Sequence, residues 1–296
     1  MKIGFIGLGI MGKPMCKNLL KAGYQVTVND LNRDAIAEII AFGAKAASNN
    51  REVAENSDVV ITMVPNSPHV KAAVLGENGV MEGARPGMIL VDMSSINPLA
   101  SKEICAEVEK HGCFMIDAPV SGGEPKAIDG SLSIMCGGKK EIFDKVYDLL
   151  KTMGSSVILC GDIGAGNSTK LANQIVVAVN IAAVSEALVM GQKAGVEPEA
   201  IYNAIRGGLA GSTVMDAKVP MMLEGNFKPG FRISLHIKDM NNVLDTGHDV
   251  GAPLPLSTCV MEMMQWLKAQ GKDTLDHSAI VQYYENLANT SIVIKK

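Results

Sequence analysis

Little in this sequence points to nucleic acid. Lysine and arginine number 27 against 31 acidic residues, a formal net charge of −4, so the basic footprint that phosphate backbones require is missing. Aromatic residues make up 4% of the chain, too few for a base-stacking surface. The six cysteines (Cys16, Cys105, Cys113, Cys136, Cys160, Cys259) contain no C-x-x-C pair, which reads as free thiols in a cytoplasmic protein. The start, MKIGFIG, reads as a strand and lacks the charged and apolar regions of a signal peptide. The most apolar long stretch, Leu171 to Met190, is broken by Asn173, Gln174, Asn180, Ser185 and Glu186. It is expected to be a buried helix, with no membrane partner. Histidines 69, 111, 236, 248 and 277 show no ligand spacing, so no metal site is expected. Neither a G-x-S-x-G elbow nor a G-x-x-x-x-G-K-[ST] loop occurs.

What is present fits two domains. The chain has 296 residues, 47% of them hydrophobic and 20% charged, enough to bury full cores. In the first half, strand-like runs (Lys2–Ile6, Gln25–Asn29, Val59–Met63, Met88–Asp92, Phe114–Asp117, Ser131–Cys136, Val157–Leu159) alternate with amphipathic helical stretches (Met11–Ala22, Arg33–Phe42, Pro98–Lys110, Lys140–Thr152). This alternation predicts a parallel sheet covered on both faces. At Gly161–Gly166 the character changes. One long helical pattern runs from about Asn167 to Ala194, and shorter ones follow at Pro198–Ile205, Val214–Leu223, Ile237–Val250, Leu256–Gln270 and Ser278–Ala288. The expected division is an α/β domain over 1–162 and an all-α domain over 163–296, entered by the long helix. The 18 methionines are expected to fill core.

Gly7-Leu8-Gly9-Ile10-Met11-Gly12 follows the first strand and opens a helix. Gly7 suits the tight turn, Gly9 the approach of a pyrophosphate to bare backbone, and Gly12 close helix–strand packing. The second strand ends at Asp30, placed to accept hydrogen bonds from ribose hydroxyls and to repel a 2′-phosphate. Leu31 follows it and brings no cation, so NADH is expected over NADPH, although Arg33 lies near. Two further glycine motifs carry chemistry. Ser121, Gly122 and Gly123 follow a strand and precede Pro125, offering N–H groups and a hydroxyl to a small carboxylate. Lys170, Asn173 and Gln174 are spaced i, i+3, i+4 after Gly161–Gly166 and so share a helix face. A lysine close to a helix N-terminus sits where the macrodipole opposes its charge, which eases proton transfer.

Three segments together resemble the β-hydroxyacid dehydrogenase family: Gly7–Met15 with Asn18-Leu19, Asp117–Gly123, and Gly164–Lys170. The resemblance covers essentially the whole chain. Gly122–Asp129, Ala204–Ser212, Asn226–Arg232 and His236–Asp239 are more specific, and resemble the branch that reduces tartronate semialdehyde. The resemblance implies a Rossmann-like domain, a helical domain that also forms the subunit interface, and an active site between them. It implies that Lys170 is the acid/base, that Ser121, Gly122 and Gly123 hold the substrate carboxylate, and that Asn173 or Gln174 holds the reacting oxygen. Many members carry asparagine four residues after the lysine, where this chain has Gln174. Val64 and Pro65 of Met63-Val-Pro-Asn66, together with Ser95, would line the cofactor, and Lys238 would reach it from the helical domain. 6-Phosphogluconate dehydrogenases are set aside: they are much longer and carry a histidine where this chain has Ala172. The expected reaction is reversible hydride transfer between NADH and a short 3-oxo acid, giving a product such as D-glycerate. The alternatives are a 3-hydroxyisobutyrate dehydrogenase and, from another class, a non-catalytic NAD-binding protein. Apolar faces at Ile175–Val184 and Val260–Leu267 predict a homodimer or homotetramer.

Overall fold

Nine strands make one sheet in a computed structural model that describes residues 1–294. In chain order they are β1 (Lys2–Ile6), β2 (Gln25–Asn29), β3 (Lys45–Ala46), β4 (Val59–Thr62), β5 (Ile89–Asp92), β6 (Phe114–Asp117), β7 (Val120–Ser121), β8 (Leu132–Gly137) and β9 (Gly154–Gly161). The spatial order is β3-β2-β1-β4-β5-β6-β8-β7, with β9 also paired to β8. The helices of this half are α1 (Gly12–Lys21), α2 (Arg33–Ile40), α3 (Asn50–Glu55), α4 (Ser67–Leu75), α5 (Val80–Gly83), α6 (Pro98–Lys110), α7 (Gly123–Asp129) and α8 (Lys140–Lys151).

Alternation along the strands builds a core on each face of the sheet. Ile3 and Phe5 of β1, Val59 and Ile61 of β4, and Ile89 and Val91 of β5 enter one core with Met15 and Leu19 of α1. Ile6, Val60 and Leu90 enter the other, with Val70 of α4 and Ile104 of α6. Asparagines start several of the helices: the side chains of Asn32, Asn49, Asn66 and Asn97 accept backbone N–H groups at α2, α3, α4 and α6.

The sheet is mostly, not wholly, parallel. β8 runs antiparallel to β6 and β7. The segment 118–131 forms the short strand β7 and the short helix α7 instead of a full crossover, so the chain re-enters the sheet in the opposite direction. The two-residue strands β3 and β7 and the short helices α3, α5 and α7 offer too few residues for a periodic signal.

The chain divides into two compact units, Met1–Lys170 and Leu171–Lys296. The division falls inside α9 (Ala165–Lys193), a little beyond the 162/163 boundary expected from the change of pattern. Among the described residues α9 is the one helix long and apolar enough to cross a membrane, and half of its most apolar window is buried in the structure. The second unit continues with α10 (Pro198–Ile205), α11 (Thr213–Glu224), α12 (Ile233–Val250), α13 (Pro255–Ala269), a 3-10 turn at His277–Ile280 and α14 (Val281–Ala288). Its core gathers Ala178, Ile181, Val219, Ile237 and Leu267 with methionines 215, 222, 240, 261 and 264. Asp276 is fully buried and staples this unit together. It accepts from Lys218 Nζ of α11 at 3.0 Å, from Gly230 N and Phe231 N ahead of α12 at 2.9 and 3.0 Å, and from Ser278 N at 3.0 Å. Beside it, His236 and His277 meet Nδ1 to Nδ1 at 3.0 Å. The Phe231 ring lies edge-on to both imidazoles.

Candidate active site

Parallel strands end at one edge, and that edge collects the expected ligand segments of the first unit. Asn29, Ile6, Thr62, Asp92 and Asp117 are neighbours in register across β2, β1, β4, β5 and β6. The Gly7–Gly12 loop, Met63–Asn66, Ser94-Ser95 and Ala118–Gly123 therefore all leave the sheet from this carboxyl edge, the place where open α/β sheets bind ligands.

The first loop has the shape its sequence requires. Gly7 adopts φ +98°, and a Cβ there would run into the Met63 carbonyl. A Cβ on Gly12 would strike the Gly7 carbonyl, and one on Gly9 would meet nothing. Gly7 and Gly12 are thus glycines for internal reasons, whereas nothing inside the protein requires Gly9 to be bare, and its backbone is open to a group approaching from outside. Ile10 is exposed and Met11 half-buried. α1 has Met11 at its N-cap, with no side-chain cap bond and no acidic residue in its first turn, which leaves its N–H end fit for an anion. Asp30 receives Leu8 N on Oδ2 and Asn32 N on Oδ1. It ties the loop to the end of β2, and a carboxylate has lone pairs left for ribose hydroxyls. These residues fit a dinucleotide.

Val64 N donates to Ser94 Oγ at 3.0 Å. Asp92 Oδ1 accepts Thr62 Oγ1 at 2.8 Å and Ser94 N at 3.1 Å, fixing the ends of β4 and β5. Burial pushes the Asp92 carboxyl up to about 6. Pro65 is exposed and Ser95 half-buried. Ser121 closes β7 opposite Ser133. Gly122 follows with φ +136°, a conformation that needs glycine. α1 braces the helix after it, because Asn18 Nδ2 donates to Ala127 O at 2.8 Å.

Lys170 is 7% exposed. It is the sixth residue of α9, one turn deeper than the N-terminal position assumed in the dipole argument, and the dipole field has largely faded there. A surface lysine is excluded by its burial. The start of the helix is locked: Asp117 Oδ1 and Oδ2 accept Gly164 N and Asn167 N, both at 2.7 Å. Asn167 Oδ1 accepts Ile96 N at 2.9 Å, and its Nδ2 donates to Ser101 Oγ at 3.1 Å.

In the second unit, Asn173, Gln174 and Lys238 come together on Asp239. Gln174 Nε2 donates to Asp239 Oδ2 at 2.5 Å, Lys238 Nζ lies 2.7 Å from Asp239 Oδ1, and Asn173 Nδ2 donates to Gln174 Oε1 at 2.9 Å. Gln174 is buried and spends both ends of its amide inside the protein, whereas Asn173 is half-buried. Sequence reasoning missed the carboxylates of Asp117 and Asp239 and the Asn167 side chain as organisers, although all three lie in or beside the quoted motifs.

Residues 2–161 match a family profile described as the NAD binding domain of 6-phosphogluconate dehydrogenase, and residues 164–284 match one described as the NAD-binding domain of NADP-dependent 3-hydroxyisobutyrate dehydrogenase. The chain belongs to the β-hydroxyacid dehydrogenase family. It is 43% identical over 289 residues to the 2-hydroxy-3-oxopropionate reductase of Escherichia coli, covering 98% of this chain and 99% of that one. It is 36% identical over 292 residues to the 2-(hydroxymethyl)glutarate dehydrogenase of Eubacterium barkeri, covering 98% and 97%. Among solved structures, the 3-hydroxyisobutyrate dehydrogenase of Mycobacterium tuberculosis with L-serine superposes with a TM-score of 0.90 at 31% identity, covering 96% and 98%. As a β-hydroxyacid dehydrogenase the chain is an NAD(P)-dependent oxidoreductase of small hydroxy acids, with a Rossmann-like first unit and a helical second one.

Proposed function

We propose that this dehydrogenase reduces tartronate semialdehyde (2-hydroxy-3-oxopropanoate) to D-glycerate with NADH, reversibly, with Lys170 as the acid/base. The observation that carries the site is a lysine 7% exposed on α9, with Asn173 and Gln174 at i+3 and i+4. The substrate rests on the 43% identity to 2-hydroxy-3-oxopropionate reductase and on the branch-specific segments. Relatives named 3-hydroxyisobutyrate dehydrogenase are 35% identical, and that activity is the second reading.

A nicotinamide cofactor, when bound, would supply hydride for the aldehyde carbon. The Gly7–Gly12 loop with Ile10 and Met11 and the uncapped start of α1 would hold its pyrophosphate, and Asp30 would take its ribose. Val64, Pro65 and Ser95 line the same edge. Ser121 Oγ and the N–H groups of Gly122 and Gly123 bind the substrate carboxylate, which places the aldehyde. Lys170 donates its proton to the oxygen as negative charge develops there, and takes it back in the reverse direction. Asn173 steadies that oxygen, and Gln174, engaged by Asp239, steadies Asn173. Asp30 and the cation-free Leu31 favour NADH. Exposed Val176, Met190, Leu256 and Leu287 on the helical unit support a homo-oligomer. A cytoplasmic location accords with six cysteines that form no disulfide.

The test is NADH consumption over tartronate semialdehyde, methylmalonate semialdehyde, succinic semialdehyde and glyoxylate. A site that hydrogen-bonds the 2-hydroxyl rejects a methyl in its place strongly, so tartronate semialdehyde should give the highest kcat/KM. A higher value for methylmalonate semialdehyde moves the assignment to the second reading.

A further inference from the structure

We propose that Asp117 is the positioning residue for Lys170: its carboxylate fixes the first turn of α9 and balances the positive end of that helix, while its main chain begins the carboxylate-binding segment. The inference rests on Lys170 being the acid. Asp117 closes β6 and is fully buried. Its two oxygens take separate N–H groups of one helix start, Gly164 on Oδ1 and Asn167 on Oδ2, both at 2.7 Å. A carboxylate satisfies both arms of this fork with strong acceptors, which an amide with its single acceptor oxygen does not. Lys170 follows Asn167 by three residues, about 4.5 Å along the helix axis. The next residues after Asp117 lead directly to Ser121, Gly122 and Gly123.

The surroundings are shaped to this one side chain. A Cβ on Gly166 would come within 2.5 Å of Asp117 O and Met135 O, and a Cβ on Gly137 would collide with Asp117 Oδ1. The glycine-rich approach to α9 is therefore the space in which the helix start reaches the end of β6. The charged and titratable groups around the fork are Asp92 on β5, its register neighbour; Lys102 on α6, which packs against Gly164; and Cys105 on α6 and Cys136 on β8, whose proton affinities Asp117 raises. Burial lifts the Asp117 carboxyl to about 6 against the pull of the Asn167 and Gly164 N–H groups, so it is ionised at neutral pH and above.

Two consequences follow. Removing the charge takes away a buried carboxylate bonded one turn before Lys170, and losing a nearby negative charge makes the ammonium easier to deprotonate. Protonating Asp117 near pH 6 should in turn impair the wild-type enzyme. The experiment compares wild type, Lys170→Ala, Asp117→Asn and Asp92→Asn. For each it measures kcat against pH in the reducing direction and the NADH dissociation constant, using tartronate semialdehyde or whichever aldehyde of the screen turns over fastest. In Asp117→Asn the alkaline limb of kcat should move to lower pH by about 1 unit, with NADH affinity unchanged. A folded Asp117→Asn enzyme that keeps the wild-type limb overturns the inference, even if kcat falls, because a purely structural role lowers the rate without moving the profile. If Asp117→Asn does not fold, Asp92→Asn decides. Asp117 raises the proton affinity of Asp92, and repulsion between like charges is mutual, so without Asp92 the acid limb should move to lower pH, and an unmoved acid limb overturns the inference. Failure of the underlying reading is distinguishable, since Lys170→Ala would then stay active.

Discussion

Replacing Asp276 by asparagine tests how the helical unit holds α12, the helix that carries Lys238 and Asp239. Burial alone would raise the Asp276 carboxyl. His277 and Lys218, with the N–H groups of Ser278 and Phe231, outweigh it and hold the group at about 2, against 3.8 when free. That depression favours the folded state by on the order of 2 kcal/mol. The amide also has a single acceptor oxygen. Whichever way it turns, its NH2 faces either Ser278 N–H and the Lys218 ammonium or the N–H groups of Gly230 and Phe231. Each stranded buried donor costs about 1–3 kcal/mol. The two contributions overlap, and a total loss of about 3–5 kcal/mol is expected, the usual result of removing one partner from a buried pair. Trp266, the single tryptophan, stands on α13 edge-on to Tyr283, so its fluorescence during urea unfolding reports this unit. The pH dependence carries a definite sign. Because the folded value is depressed, the stabilisation is complete above pH 3.8 and is lost as pH falls toward 2, so the gap between wild type and variant should narrow at pH 3 and be widest at neutral pH. A loss below about 1 kcal/mol at pH 7, too small for even one stranded donor, would refute the reasoning, as would a gap that does not change with pH.

The remaining expectations concern the proposed site and the assembly. Lys170→Ala should lower kcat by about 10²–10⁴-fold and leave the NADH dissociation constant unchanged. Lys170→Arg should not restore the rate, because guanidinium does not cycle its proton; an alanine variant keeping more than about a tenth of wild-type kcat, well short of that loss, removes Lys170 from the mechanism. kcat/KM should be higher with NADH than with NADPH, and Asp30→Asn, which keeps an acceptor for Leu8 N, should narrow the difference; equal use of both cofactors by the wild type shows that Arg33 overrides Asp30. Gly9→Ala should keep the melting temperature and lose NADH affinity, whereas Gly12→Ala should lower the melting temperature itself; thermal melts with and without NADH separate the two, and identical behaviour contradicts the division of labour among the glycines. Light scattering at micromolar concentration should give a multiple of the 31.3 kDa chain mass, and a monomer would show that the exposed apolar helix faces are not subunit contacts.

What was legible in the sequence is local along it. β1, the Gly7–Gly12 turn, α1 and β2 occupy consecutive residues, and each signal there is a spacing that backbone geometry alone imposes. The long helix was legible for the same reason, and half of its most apolar window is buried. The dipole argument for Lys170 placed it too near the helix start because the last residues before α9, up to Gly164, carry no boundary signal sharper than glycine itself. The pairings that organise the site were not legible. Asp117 reaches residues 47 and 50 positions away, Gln174 reaches Asp239 across 65, and Asp276 gathers donors 45, 46 and 58 positions distant. His236 and His277, 41 apart, looked inert because no ligand spacing joined them, yet they share a hydrogen bond in the core.

These three aspartates have one physical logic. A carboxylate taken out of water is costly unless most of its lone pairs are filled, so a fold that buries one must bring donors from several segments to it. Asp117 draws in the start of the lysine-bearing helix, Asp239 the amide pair of Gln174 and Asn173 together with Lys238, and Asp276 the approach to α12. Each lies beside a segment assigned to chemistry, and each is tied to that segment by bonds to charged, backbone or amide groups whose direction is fixed. An apolar contact of the same burial would hold the segments together with less angular control, because the hydrophobic effect is non-directional. Catalysis by proton transfer needs its groups held to within a fraction of an ångström. A buried acidic residue beside a segment assigned to chemistry is therefore to be read first as an organiser of the site, before any direct contact with substrate is assigned to it.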